Sequence, residues 1–136
     1  MSSIFSKIIA GEIPCQKVWE DEHHFAMLDI RPVRPGHTLV IPKREVSYLF
    51  ELEADEYAAL WAAVRTVEAK LKAKTGCKRV VVMVIGWEVP HVHVHLIPTD
   101  ANGDVGMPPP YPMTDEQRAA MAELLRERRR LGRSFP

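Results

Sequence analysis

The sequence predicts an α+β protein in which helices pack against an antiparallel five-stranded sheet. Five short, largely apolar segments are bounded by proline, glycine or clustered polar residues, which is typical of strands, and "KRVVVMVIG" is rich in β-branched residues. One long segment has apolar residues at three- and four-residue spacing, which is typical of an amphipathic helix. The order of helix, hairpin, strand, long helix and two strands favours this fold class.

The first part of the chain predicts a short helix followed by three strands. The helix lies in "IFSKIIAGEIP" and ends at Gly11, with Pro14 beyond it. The hairpin strands are "KVWED" and "HFAMLDI", and the third strand is "HTLVIPK", which Pro42 stops. The apolar side of the predicted helix consists of Ile4, Phe5, Ile8 and Ile9.

The second part predicts a long helix over residues 55–74 and two more strands. Asp55 and Glu56 give the helix an acidic start, and Gly76 is a C-terminal stop. "KRVVVMVIG" and "VHVHLIP" are the fourth and fifth strands. The apolar stripe of the helix consists of Tyr57, Leu60, Trp61, Val64, Val67 and Leu71.

A change of composition near residue 100 separates a domain at 1–100 from an arm at 101–136. The arm begins with the Gly/Pro loop "ANGDVGMPPPYP" and continues in a helix that Thr114 and Gln117 open as a capping box. We expect this arm to pack on the same domain or on a dimer mate. Its segment "LRERRRLGR" holds five arginines, and we interpret it as a solvated basic helix end rather than a nucleic-acid site.

Composition excludes several classes of function. The 136 residues are 46% hydrophobic and 26% charged, and 18 basic side chains balance 18 acidic ones. A neutral chain gives no reason to expect nucleic acid or a membrane as a partner. Cys15 and Cys77 form no CxxC pair, and no apolar run reaches membrane-spanning length. We therefore expect a cytoplasmic protein.

The segment "HVHVHLIP" places His91, His93 and His95 at alternate positions of a predicted strand. Successive side chains of a strand alternate between its faces, so the three imidazoles share one face, at the surface or in a cleft. A histidine-rich solvated edge, a metal site and phosphoryl chemistry are the three interpretations. The outer histidines lie about 13 Å apart in a flat strand, which disfavours one ion bound by all three. A neutral imidazole is a competent nucleophile toward phosphorus without a metal.

Three motifs together resemble the histidine-triad (HIT) superfamily, in particular its Hint-like branch. They are "SIFSKIIAGEIP", "VWEDEHHFAMLDIRPVRPGHTLVIPK" and "HVHVHLIP", and they cover roughly residues 3–98 in the family's order and spacing. The resemblance implies the HIT fold and a homodimer that forms through the long helix and the adjoining strand. It also implies hydrolysis of a phosphoanhydride or phosphoramidate bond of a purine nucleotide.

The resemblance assigns roles to individual residues. His93 matches the histidine that attacks the α-phosphate and forms a covalent nucleotidyl-histidine, while His91 and His95 match its two supporting histidines. Asp29 matches the carboxylate that holds the ribose hydroxyls. His37 matches a histidine beside the triad, for which a structural role is at least as plausible as a catalytic one. The other nucleotide-binding positions that the resemblance implies are Ile4, Phe5, Ile8, Met27, Leu28, Ile30, Leu39, Glu88 and Val89.

Two departures from the family pattern leave alternatives open. Trp87 and Glu88 stand where many members have a polar pair, so a nucleotide-binding or partner-docking module with incidental hydrolysis is an alternative function. Ser3, Ser6 and Glu45 stand where some bacterial members bind structural zinc through two cysteines and a histidine. We therefore expect no metal site and no cofactor.

Overall fold

The computed structural model describes residues 2–128, and Met1 and residues 129–136 lie outside that description. The last three arginines of the predicted basic helix end, Arg129, Arg130 and Arg133, fall outside it as well. The described elements, in chain order, are α1 (Ile4–Ile9), β1 (Lys17–Glu20), β2 (His24–Leu28), β3 (Thr38–Pro42), a short 3-10 turn (Leu49–Glu51), α2 (Ala54–Thr75), β4 (Arg79–Met83), β5 (Val94–Thr99) and α3 (Asp115–Arg126).

The five strands form one antiparallel sheet in the order β1-β2-β3-β5-β4, which confirms the predicted α+β class. In one row across this sheet, Met27 pairs with Leu39, Leu39 pairs with His95, and His95 pairs with Met83. This register places a histidine of the triad beside two of the predicted apolar nucleotide-binding residues. The two edge strands are β1 and β4.

Helix α2 packs on one face of the sheet and provides the larger part of the core. It begins with a capping box between Glu53 and Glu56, and it ends at Gly76, whose φ of 70° is left-handed. The predicted helix of 55–74 is therefore correct to within one residue at each end. The core under α2 consists of Leu60, Ala63, Val64, Val67 and Leu71 with Ala26, Val40, Val92, Val94 and Leu96 of the sheet and its approach.

Helix α1 is associated with the opposite face of the sheet. Ser3 caps its first turn by accepting a hydrogen bond from the Ser6 amide at 3.0 Å. Its Phe5 is buried in a second core cluster, which has Phe25 and Met27 of β2 and Leu39 and Ile41 of β3 as its other buried members. The alternation of β2 and β3 thus divides their side chains between α2 and α1.

The fifth strand is shorter than the sequence predicted. It begins at Val94 rather than at residue 92, because the backbone before it forms loop hydrogen bonds instead of the sheet ladder: the Val92 amide donates to the Val46 carbonyl at 2.8 Å. The fourth strand likewise ends at Met83 and not at residue 86. The predicted alternation nevertheless persists, since Val92, Val94 and Leu96 all lie in the core under α2.

The chain divides into two compact units, one ending at Gly106 and one beginning at Met107. In the second unit, Thr114 and Gln117 form the predicted capping box of α3. No residue within Asp115–Arg126 is buried, so its apolar stripe of Met121, Leu124 and Leu125 is exposed. The packing of this arm on the first unit or on a dimer mate stays a prediction. Among the described residues, no helix is long and apolar enough to cross a bilayer.

Candidate active site

The three histidines of the triad lie on the sheet face opposite α2, and α1 covers two of them. The Phe5 ring lies edge-on to His93 and His91, with centroid distances of 4.8 and 5.9 Å. His91 is fully buried and His93 is 7% exposed, so the face that the sequence placed at the surface or in a cleft is largely enclosed. The sequence could not show this, because the residue that covers them lies more than eighty positions earlier in the chain.

His91 is held at both ring nitrogens. Its Nε2 lies 2.8 Å from the carbonyl oxygen of Pro42, which can only accept, so Nε2 carries the proton. Its Nδ1 lies 2.6 Å from the Ser3 hydroxyl, which must therefore donate to it when the ring is neutral. No local pattern signals the Ser3 contact beyond the helix-capping position of that serine.

The ring of His93 is oriented by the backbone of its neighbour. Its Nδ1 lies 2.7 Å from the His91 carbonyl oxygen, so Nδ1 donates its proton there. In a neutral imidazole the lone pair is then on Nε2. The structure consequently presents the Nε2 lone pair of His93 as the group available to an electrophile.

His95 belongs to a chain of hydrogen bonds that begins at the backbone. The Val33 amide donates to Nδ1 of His37 at 3.1 Å, which leaves the proton of a neutral His37 on Nε2. That Nε2 lies 2.9 Å from Nδ1 of His95. His95 then accepts at Nδ1 and carries its own proton on Nε2. Oδ2 of Asp29 lies 3.5 Å from the His37 Nε2 and 3.9 Å from the His95 Nδ1.

Burial keeps these supporting imidazoles neutral. The pKa of His95 is lowered to about 4, mainly by burial and also by the nearby His93 and His37 rings, while Asp29 and Glu88 oppose the shift. Burial also lowers the pKa of His91 and of His37. Neutral rings at pH 7 are the form that the hydrogen-bond assignments above require.

Asp29, His37 and His95 also form a group of potential metal ligands whose donor atoms lie within 4.8 Å of one another. The hydrogen bond from the Val33 amide to His37 disfavours metal binding by this group. A neutral imidazole has one lone pair, and His37 directs it from Nδ1 to the Val33 N–H, so the Nε2 that faces the other two residues is protonated. A histidine that binds a metal has the reverse arrangement: one ring nitrogen binds the ion, and the N–H of the other donates a hydrogen bond. The group fits a proton-ordered hydrogen-bond chain better than a metal ion.

The zinc-binding positions of some family members hold a hydrogen-bonded network in this chain. Glu45 Oε1 accepts from the Ser3 amide and from the Ser6 hydroxyl, both at 2.7 Å. These bonds lower the pKa of the Glu45 carboxyl to about 2. Two serine hydroxyls and a carboxylate do not provide the thiolate and imidazole donors that hold structural zinc, so this donor set does not fit the metal.

The predicted nucleotide-binding residues divide into a clustered group and an exposed group. Phe5, Met27 and Leu39 are buried in the cluster beside α1, and Ile8 and Val89 pack against it. The structure does not bring the remainder into that cluster. The exposed residues are Ile4, Leu28, Ile30 and Glu88. The Trp87 side chain is 91% exposed.

The fold and this site define a histidine-triad protein. The HIT domain family matches residues 10–102, and the chain therefore belongs to the HIT family. An uncharacterised HIT-like protein of Methanocaldococcus jannaschii is 44% identical over 107 residues, which is 75% of this chain and 83% of that protein. An adenosine 5′-monophosphoramidase of Schizosaccharomyces pombe is 35% identical over 131 residues, which is 90% of this chain and 95% of that enzyme.

Two further comparisons cover enzyme class and fold. An adenylylsulfatase of Arabidopsis thaliana is 34% identical over 100 residues, or 70% of this chain and 51% of that enzyme. The crystal structure of a HIT family member from Bacillus subtilis superposes with a TM-score of 0.79 at 31% identity, covering 92% of this chain and 95% of that one. These similarities support a HIT hydrolase and confirm the predicted HIT fold.

Proposed function

We propose that this chain cleaves a phosphoanhydride or phosphoramidate bond of a purine nucleoside phosphate through a covalent nucleotidyl-histidine at His93. The observation that carries the proposal is the 2.7 Å bond from Nδ1 of His93 to the His91 carbonyl, which leaves the Nε2 lone pair for attack. The similarity to a phosphoramidase and an adenylylsulfatase supports the substrate class.

The reaction proceeds in two displacements. In the first, Nε2 of His93 forms a bond to the α-phosphorus, and the bond from phosphorus to the leaving group breaks with its electron pair on the leaving group, which takes up a proton from solvent when it is an amine. The imidazolium that results keeps its proton on Nδ1, which donates to the His91 carbonyl. In the second, water attacks the phosphorus, the N–P bond breaks back onto Nε2, and the nucleoside monophosphate leaves with the proton of water released to solvent. The Nε2–H of His95 donates to a phosphoryl oxygen in both steps.

The residues around the sheet face that carries the histidines bind the nucleoside. The carboxylate of Asp29, at the end of β2, accepts from the ribose hydroxyls, and its Oδ1 is steadied by the Arg31 amide at 2.9 Å. The purine packs on the apolar cluster beside α1. Its proposed lining is Phe5, Ile8, Met27, Leu39 and Val89, with Ile4, Leu28, Ile30 and Glu88 at the exposed rim.

A nucleotide-binding or partner-docking module with incidental hydrolysis is the second candidate. It is favoured by the segment before the triad, where Trp87 and Glu88 are both exposed. An ionised carboxylate in that loop repels the phosphate and leaving group of an incoming nucleotide. Binding without efficient turnover is the outcome that this repulsion predicts.

We also propose a homodimer that joins the edge strand β4 and helix α2 of two copies in the cytoplasm. The edge strand carries the exposed Val82, and the adjoining loop carries the exposed Ile85. On α2, Trp61 is only partly buried. The free thiols of Cys15 and Cys77 fit a reducing compartment.

The test compares the wild type with His93→Ala and with His23→Ala, a histidine variant on the exposed loop before β2. Each protein is incubated with adenosine 5′-phosphoramidate and with diadenosine polyphosphates while nucleotide release is measured. Intact mass after rapid quenching detects the nucleotidyl adduct. We expect turnover and adduct in the wild type and in His23→Ala, and neither in His93→Ala.

Two other outcomes would support a different function. Tight nucleotide binding with no turnover that depends on His93 supports the binding module. A stoichiometric metal in the purified protein that is lost when His37 or His95 is replaced contradicts the hydrogen-bond assignment and supports a metal site.

A further inference from the structure

We propose that Ser3, held by Glu45, is a positioning residue that fixes the tautomer and orientation of the nucleophile His93 through His91. This inference rests on the proposed function of His93 and extends the site to the N-terminal cap of α1. The network is local to the first turn of α1, the residue that follows "IPKR" after β3, and the segment that precedes β5.

Proton accounting assigns the direction of each hydrogen bond. The Ser3 hydroxyl has three neighbours that can accept its proton: the His91 Nδ1 at 2.6 Å, the Ser6 Oγ at 3.4 Å and the Glu45 carboxylate. His91 has already placed its one proton on Nε2, toward the Pro42 carbonyl. Its buried Nδ1 is left without a partner unless Ser3 donates to it, and an unpaired buried acceptor is costly. The Ser3 proton therefore goes to His91.

Glu45 already accepts hydrogen bonds from donors other than the Ser3 hydroxyl. Its Oε1 accepts the Ser6 hydroxyl proton, so Ser6 is not a hydroxyl donor to Ser3, and it accepts the Ser3 amide, which fixes the backbone of the cap. The Ser6 amide donates to Ser3 Oγ at 3.0 Å and fills an acceptor site of the hydroxyl. The His91 Nδ1, at 2.6 Å, is the nearer of the two acceptors with a measured distance, and it depends on Ser3 for its hydrogen-bond donor.

The hydrogen bond from Ser3 to His91 affects His93 through the backbone carbonyl of His91. With both of its ring nitrogens bonded, His91 cannot rotate, and its carbonyl is held where Nδ1 of His93 donates at 2.7 Å. That bond keeps the proton of His93 on Nδ1 and the lone pair on Nε2. When Ser3 loses its hydroxyl, the His91 ring loses one of two anchors, and the carbonyl no longer selects one tautomer of His93.

The test uses Ser3→Gly, because glycine is accepted at a helix N-cap but carries no hydroxyl. Ser3→Thr restores a hydroxyl, and Thr114→Gly is the matched control, since it removes the N-cap hydroxyl of α3 in the other unit. We expect kcat of Ser3→Gly to fall about tenfold with KM changed by less than about twofold. Ser3→Thr recovers most of the rate, and Thr114→Gly retains the wild-type rate.

A second measurement requires no substrate. Long-range ¹H–¹⁵N spectra of the histidine rings are recorded for the unliganded wild type and Ser3→Gly. We expect one Nδ1–H tautomer for His93 in the wild type and a mixture of tautomers in Ser3→Gly. An unchanged kcat, or a single Nδ1–H tautomer of His93 in Ser3→Gly, overturns the proposal. If the wild type turns over neither substrate, the proposed function fails, and the tautomer comparison alone decides whether Ser3 positions His93.

Discussion

Nε2 of His37 lies 2.9 Å from Nδ1 of His95, and the backbone amide of Val33, four residues before His37, orders the protons of both rings. The Val33 N–H occupies Nδ1 of His37, so His37 donates and His95 accepts. The donor that remains on His95 is its Nε2–H. A fourth histidine outside the triad therefore determines which nitrogen of the third is available to a phosphate.

Replacing His37 is expected to lower both stability and turnover. His37→Ala removes a buried ring and leaves the Val33 amide and the His95 Nδ1 without that partner, which costs about 1–3 kcal/mol in the free energy of unfolding. Urea denaturation measures this loss. The control is His24→Ala, which removes another buried histidine whose Nδ1 lies 3.0 Å from Asp21. Equal turnover in His37→Ala and His24→Ala would contradict the role of His37 at the site.

The stability of the protein is expected to fall as the pH drops from about 6.5 to about 4. Burial lowers the pKa of His95 to about 4, so the unfolded chain binds a proton in this window and the folded chain does not. The contribution is fully present above pH 6.5 and is lost on acidification, by on the order of 3 kcal/mol. Thermal unfolding across this range measures it. His95→Gln should flatten the profile, and an identical slope in that variant would refute the assignment.

Phe5 and Phe25 provide a matched pair that separates packing from function. Both are buried in the same cluster, but the Phe5 ring lies 4.8 Å from His93. We expect Phe5→Leu and Phe25→Leu each to cost about 1 kcal/mol in the free energy of unfolding. Only Phe5→Leu should lower turnover, because it alone removes a ring that fixes the nucleophile. Equal effects of the two variants on kcat would show that Phe5 acts through stability alone.

Gly36, directly before His37, is expected to tolerate no side chain. Its φ is 89°, and an added Cβ would lie 3.1 Å from Cγ of Pro98. Gly36→Ala should cost about 2–3 kcal/mol, because the left-handed backbone penalty adds to the contact. Gly11→Ala is the control: Gly11 has a φ of 85° with nothing within 4 Å of the added Cβ, so about 1–2 kcal/mol is expected. Chemical denaturation compares the two, and equal losses would show that the Pro98 contact carries no cost.

Much of this architecture follows from local patterns. The three-four spacing from Tyr57 to Leu71 predicted α2, and the alternation around His93 predicted which side chains share a face, because both patterns follow from backbone geometry. The start of β5 was not predictable, since it depends on a hydrogen bond from Val92 to Val46. Of the apolar residues expected to contact the nucleotide, Leu28 and Ile30 are exposed outside the cluster, because alternation turns Leu28 away from Met27 and Ile30 lies beyond the end of β2.

The sequence by itself determined the fold class and the family, because periodicity and motif spacing are properties of neighbouring residues, and the resemblance to that family selected His93 as the candidate nucleophile. Tertiary structure decided the protonation pattern of the site. Ser3 and Pro42 both contact His91, which lies far from them along the chain, and Val33 acts on the distant His95 through His37. Each acts through a hydrogen bond of 3.1 Å or less. Which nitrogen of an imidazole carries the proton depends on such partners, and only the folded chain brings them together.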